Sequence, residues 1–286
     1  MHSSNPVFAR SEGFNGRSAG PAPSYQSSPS TWSTGAGAPT DYDYGHGAPT
    51  TPVQQGPMTI DTVVQKSAIT LGTVAVVGAA TWFYLSPIAT DADLSRATGI
   101  GFVGLIVGFV LAMVNIFKKA VSPPLVIAYA AAQGVALGAL SLVIPIQFGA
   151  VPAGVVPQAV LATVLVVAST LGVYKSGLVR VTTKFKRGVM IAGIAAVGLM
   201  LVNLVMSLFG APLGIRGDGP LAIGFGLLMV GLGALFLMLD FDEIEHGIRN
   251  GLPESESWRS AFGLTVTIVW IYIEILRLVS IFSSSD

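Results

Sequence analysis

The sequence predicts an all-α integral membrane protein, a seven-transmembrane-helix bundle preceded by a disordered tail. Three observations predict it. Only 10% of the 286 residues are charged and 52% are hydrophobic, whereas a soluble domain carries about 25% charged residues. Seven apolar runs are long enough to cross a hydrocarbon core, which takes about 20 helical residues. Residues 1–57 differ in composition from everything that follows.

The elements follow in order. The stretch "SAGPAPSYQSSPSTWSTGAGAPTDYDYGHGAPT" is rich in Gly, Pro, Ser and Thr and short of aliphatics. It cannot bury enough surface to offset chain entropy, so residues 1–57 are expected to be a disordered cytoplasmic tail. Its aromatics (Tyr25, Trp32, Tyr42 and Tyr44) offer weak partner contacts. It lacks the charged start, apolar middle and small-residue cleavage site of a secretory signal. Residues 58–286 form the transmembrane domain, with spans near 67–86, 97–117, 125–145, 154–174, 187–209, 219–240 and 261–282. Pro157 interrupts the fourth run early, so that helix is expected to start or kink there. Short connections place consecutive helices side by side. No internal repeat is visible, which leaves a transporter built from inverted repeats without support.

Lys and Arg in short loops set the orientation. One side holds Lys66, Lys118, Lys119, Lys175, Arg180, Lys184, Lys186, Arg187, Arg249 and Arg259; the other holds Arg96, Arg216 and Arg277. The N-terminus is therefore expected in the cytoplasm and the C-terminus outside. A formal net charge of +0 and the lack of a basic face argue against a nucleic-acid partner. No cysteine is present, which excludes disulfides and thiolate metal sites, and His2, His46 and His246 are too scattered for a zinc site by spacing. No HExxH, GxSxG or Walker A stretch occurs, so neither an enzyme nor a bound cofactor is expected.

The chemistry concentrates in two places. "LMLDFDEIEH" ends the sixth run with Asp240, Asp242, Glu243 and Glu245. A helix C-terminus carries partial negative charge, so acids there need compensation. Asp242, Glu243 and Glu245 read either as part of a gate or as a solvated cytoplasmic extension. In the second reading Asp242–His246 and Glu245–Arg249 form i,i+4 pairs. Asp240 follows "ALFLML" directly and lies at the hydrocarbon boundary, where a carboxylate turns inward to a partner or a watery cavity. Desolvation and acidic neighbours both favour its protonated form. Glu254 and Glu256, by contrast, open the seventh span, where the dipole favours them.

Glu274 is the acid set well inside an apolar run, "IVWIYIEILRLVSIF", with Arg277 at i+3. The two form either an intrahelical structural pair or part of a cation or proton pathway. Thr267 lies two turns earlier on the same face. Gln133, Tyr129, Asn115 and Asn203 read as interhelical glue. Ala130, Gly134 and Gly138 recur at i+4 and would let another helix approach closely, as a packing or pore seam, and Gly224, Gly226, Gly231 and Gly233 thin the sixth helix.

These residues carry a family likeness. "NPVF", "MTIDTVVQKSAITLG", "SPPLVIAYAAAQGVALGA", "VYKSGLVRVTTKF", "LDFDEIEHGIRNGLP" and "AFGLTVTIVWIYIEILRLVSIF" together resemble the Bax inhibitor family (the TMBIM/YccA group), over roughly residues 55–283. The likeness is to its bacterial branch with a long Gly/Pro-rich tail. The resemblance implies residence in a bacterial plasma membrane and a fold in which the last helix is central, wrapped by the other six. It also implies a pH-sensitive calcium leak, with Ca2+ as the permeant cation. The closed state is implied to be latched by an aspartate ending the sixth helix and another in the seventh, sharing a proton. Asp240 matches the first. The second falls near Thr267, where no acid stands, and Glu274 is about 10 Å further along the helix. The second span (97–117) has no arginine, and Gln133 stands where this branch often carries a glutamate. A modified gate would use Asp240 with Asp242 or His246, or Glu274 with Arg277. The alternative function is a non-conducting protein that modulates membrane-protein quality control by binding a membrane protease or other membrane protein.

Overall fold

The computed structural model describes residues 56–211 and 213–284; the expected tail up to residue 55 lies outside the described residues. Seven helices follow one another: α1 Ile60–Leu85, α2 Asp91–Phe117, α3 Pro123–Gln147, α4 Pro152–Lys175, α5 Thr183–Leu208, α6 Pro220–Arg249 and α7 Glu256–Ser283. Each is long and apolar enough to cross a membrane. The chain is an all-α, seven-helix membrane-spanning bundle. Phe102, Phe109, Ile194 and Leu228 lie exposed on its outer faces, as an apolar solvent requires.

Local sequence explains the helix ends. α3, α4 and α6 open on Pro123, Pro152 and Pro220, where a missing N–H has no helical partner to lose. Thr59 and Thr90 cap α1 and α2 in reciprocal bonds with Thr62 and Asp93. α4 opens at Pro152 and runs through Pro157, so the expected start at Pro157 is not observed. A proline that close to the N-terminus removes a single intrahelical bond. α4 and α6 are followed by Gly177 (φ 68°) and Gly251 (φ 65°), whose left-handed backbone ends a helix without a Cβ clash.

α6 continues to Arg249, about two and a half turns beyond Asp240. The acidic residues from Asp240 to Glu243 therefore stand inside the helix, with His246 and Arg249 in the last turn. The expected conflict with the helix dipole falls away for them, because that effect fades beyond the final turn.

α7 is the central helix. In its most apolar stretch 67% of residues are buried, against 17% in α1, α2 and α5. It packs against α1, α3, α4 and α6, whereas α2 leans on α3 and α5 on α6. The expected wrapping by six helices is thus four direct neighbours and two outer helices. Small residues set the spacings. A Cβ on Gly138 would lie 2.4 Å from the Gly78 carbonyl oxygen, and one on Gly134 2.9 Å from that of Val74, so both glycines form the α1–α3 seam. On α6, Gly226 and Gly233 face Arg277 and Ile271 of α7, while Gly224 and Gly231 meet nothing.

Polar contacts tie the apolar elements together. Thr265 Oγ1 donates to Thr70 Oγ1 at 3.0 Å, and Ser141 and Tyr272 share a bond of 2.8 Å. Lys66 is buried and pairs with Glu254 at 2.7 Å. Gly56 and Pro57, placed in the tail by composition, are paired with the α6–α7 loop. Pro57 bridges to Pro253, and the Met58 N–H donates to the Leu252 carbonyl at 2.7 Å.

Candidate functional site

Asp240 turns inward, as its position after "ALFLML" predicts, and is 6% exposed. Its Oδ2 accepts a hydrogen bond from Thr267 Oγ1 of the central helix at 2.6 Å. Oδ1 has no hydrogen-bond partner among the described residues. The position at which the family likeness implied a second aspartate is therefore the one that meets Asp240, with a hydroxyl in place of a carboxyl. Thr267 also donates to the Gly263 carbonyl of its own helix, at 3.3 Å, which orients it.

Asp240 and Thr267 lie on the wall of a cavity of about 620 Å³. Its apolar lining comes from Leu105, Phe109 and Ile116 of α2, Met190 of α5, and Phe236 and Phe262. Gln133, Lys186 and Glu243 supply further polar groups. The Gln133 side chain crosses to α2, where a Cβ on Gly108 would lie 2.9 Å from its Nε2, and its Oε1 is buried without a partner.

Of the neighbouring acids, Asp242 and Glu243 are not solvated, whereas the Glu245 side chain is 44% exposed. Asp242 and Glu243 are 7% and 6% exposed. Lys186 at the start of α5 reaches both, with its Nζ 2.6 Å from Asp242 Oδ2 and 3.4 Å from Glu243 Oε1. Asp242 also meets His246 Nδ1 at 3.3 Å, the expected i,i+4 pair. Glu245 pairs with Arg249 as expected and accepts a hydrogen bond from Tyr174 of α4. No bond joins Asp240 to Asp242 or His246; each finds its own partner.

Glu274 forms a separate cluster towards the other end of α7. It is 1% exposed, and both its oxygens are engaged, Oε2 by Arg277 at 3.1 Å and Oε1 by Arg216 at 3.0 Å. An Asp240–Glu274 bond is therefore not formed. Arg277 packs where Gly226 leaves room on α6, and its Nε and Nη1 are buried without partners.

Three participants escaped the sequence reading. By sequence Lys186 and Arg216 are short-loop charges that set orientation, and Tyr174 carries no signal beyond its place near a helix end. Nothing in the local sequence marks a loop lysine that reaches into a bundle. Among the described residues no group of three or more His, Cys, Asp or Glu could hold a metal ion. One free carboxylate oxygen falls far short of the six to eight oxygens a resident Ca2+ takes.

The comparisons agree with this architecture. The sequence profile described as Bax inhibitor 1 like matches residues 5–284. That match starts at the quoted "NPVF", residues 5–8, and so reaches further towards the N-terminus than residues 55–283. No curated protein matches the chain. A match spanning almost the whole sequence, on seven spanning helices around a central seventh, shows that the chain belongs to the Bax inhibitor family.

Proposed function

We propose that the protein is a pH-sensitive cation leak, with Ca2+ as the permeant ion, controlled by protonation of Asp240. One observation carries this reading: a carboxylate of α6 buried against the central helix, held through one oxygen by Thr267, with its other oxygen free beside a cavity. Protonation converts that oxygen from an acceptor of cations into a hydroxyl and alters the bond to Thr267. Asp242 and Glu243, balanced by Lys186, supply the neighbouring charge. The excess of Lys and Arg on the Asp240 side supports placing the gate at the cytoplasmic face.

The test is Ca2+ flux in proteoliposomes across about pH 5–8, the range in which a buried carboxyl can titrate. The wild type is expected to leak with a pH-dependent rate, and Asp240→Asn to flatten that dependence while folding normally. Absence of flux at every pH removes the channel reading. An unchanged profile in Asp240→Asn moves the gate elsewhere.

A second reading is a non-conducting protein that acts by binding a membrane protease or other membrane protein. The pairing of Gly56 and Pro57 with the α6–α7 loop favours it, because it fixes the start of the described chain beside the end of α6. Deleting residues 1–55 should spare flux under the first reading and abolish partner capture under the second.

A further inference from the structure

The two outer helices leave a slot. α2 packs on α3 and α5 on α6, and the 620 Å³ cavity lies between them, lined on one side by Leu105, Phe109 and Ile116 and on the other by Met190 and Lys186. From Leu105 to Ile116 the helix rises about 16 Å, close to one leaflet of a hydrocarbon core about 30 Å thick. Phe109 is 62% exposed beside the slot and Ile191 61%, so its flank faces the bilayer.

Charge distinguishes one end of the slot. Lys118 and Lys119 directly follow α2, two and three residues beyond the lining residue Ile116. Lys184 and Arg187 flank Lys186 in the first turns of α5. These four cations are exposed and have no carboxylate within ion-pair distance among the described residues. Lys186 itself is committed to Asp242 and Glu243, which removes those acids as competitors. The N-terminus of α5, capped by Thr182, adds a positive dipole end on the same side.

We propose that this slot holds one acyl chain of an anionic phospholipid, with the phosphate at the basic mouth between Lys118–Lys119 and Lys184–Arg187. The chain length the slot accepts, its apolar walls and its membrane-facing flank fit an acyl tail. The four cations select a headgroup that carries net negative charge. A bound tail would lie beside Asp240 and Thr267, which line the same cavity. The proposal does not depend on ion conduction.

Trp270 reports on the slot because its ring packs, tilted by 56°, against that of Phe236, a lining residue, with centroids 5.7 Å apart. The full chain carrying Trp32→Phe, Trp82→Phe and Trp258→Phe is reconstituted in phosphatidylcholine vesicles. An equal mole fraction of dibrominated-acyl phosphatidylglycerol or dibrominated-acyl phosphatidylcholine is then added. Severalfold stronger quenching of Trp270 by the anionic lipid is expected. Neutralising Lys118, Lys119, Lys184 and Arg187 to Gln, all at exposed positions, should equalise the two lipids. Ala112→Phe, which fills the slot, should lower quenching by the anionic lipid to that of the zwitterionic one. Equal quenching by both lipids in the unneutralised protein overturns the proposal, as does a preference that survives neutralisation. The headgroup comparison is made on one protein, so a misfolded variant does not decide it, and no flux is read.

Discussion

Asp240 meets a hydroxyl on α7, and that bond gives Thr267 a role its sequence position alone does not reveal. Thr267→Val removes the hydrogen bond and leaves the buried carboxyl without a partner; Thr267→Ser keeps it. The valine variant is expected to move the pH profile of flux while the serine variant retains it. Glu274 presents the opposite case, a fully engaged carboxylate between two guanidinium groups. Glu274→Gln strands buried positive charge and should destabilise the protein by about 3–5 kcal/mol, read from unfolding in detergent. Arg216→Ala should cost much less, because the Arg216 side chain is 37% exposed and water can replace it in contact with Glu274. The inward turn of Asp240 was legible because a charge directly after "ALFLML" has nowhere else to go. Its partner was not, because a threonine in an apolar helix most often bonds its own backbone, and Lys186 looked like any loop lysine.

At the scale of the helix, the small residues divide into two kinds that sequence spacing does not separate. Gly138 has a carbonyl 2.4 Å from where its Cβ would be, whereas Gly231 faces open space. Gly138→Ala should therefore push α1 off α3 and destabilise by about 1–3 kcal/mol, the usual range for overpacking. Gly231→Ala should be neutral, or stabilising by about 0.5–1 kcal/mol through helix propensity. Thermal unfolding of the two variants side by side checks the contrast. The i+4 stripe on α3 was readable as a seam because its members share one face. α6 is longer than its apolar run. An acidic segment after an apolar run looks like the end of a helix, but Lys186, Tyr174 and Thr267 give those acids partners, and the helix continues to Arg249.

At the scale of the whole molecule, the first pairing among the described residues is at Gly56. A chain starting at Gly56 keeps this pairing. One starting at Ile60 should unfold at a lower temperature, since it loses the bridge to Pro253 and the burial of Met58, about 1.5–3 kcal/mol for such a side chain. The sequence by itself determined the membrane class, the seven spans and the family likeness. Those follow from hydropathy over windows of about 20 residues and from local motifs, which need no knowledge of neighbours. Only the tertiary structure decided which acid meets which partner. It placed Thr267 on Asp240, Lys186 between Asp242 and Glu243, and Arg216 on Glu274, pairs separated by up to 58 residues. It also set α2 and α5 apart and opened the slot between them. Helix–helix packing depends on side-chain shape across the bundle, and a one-dimensional pattern of apolar and polar residues does not contain that shape.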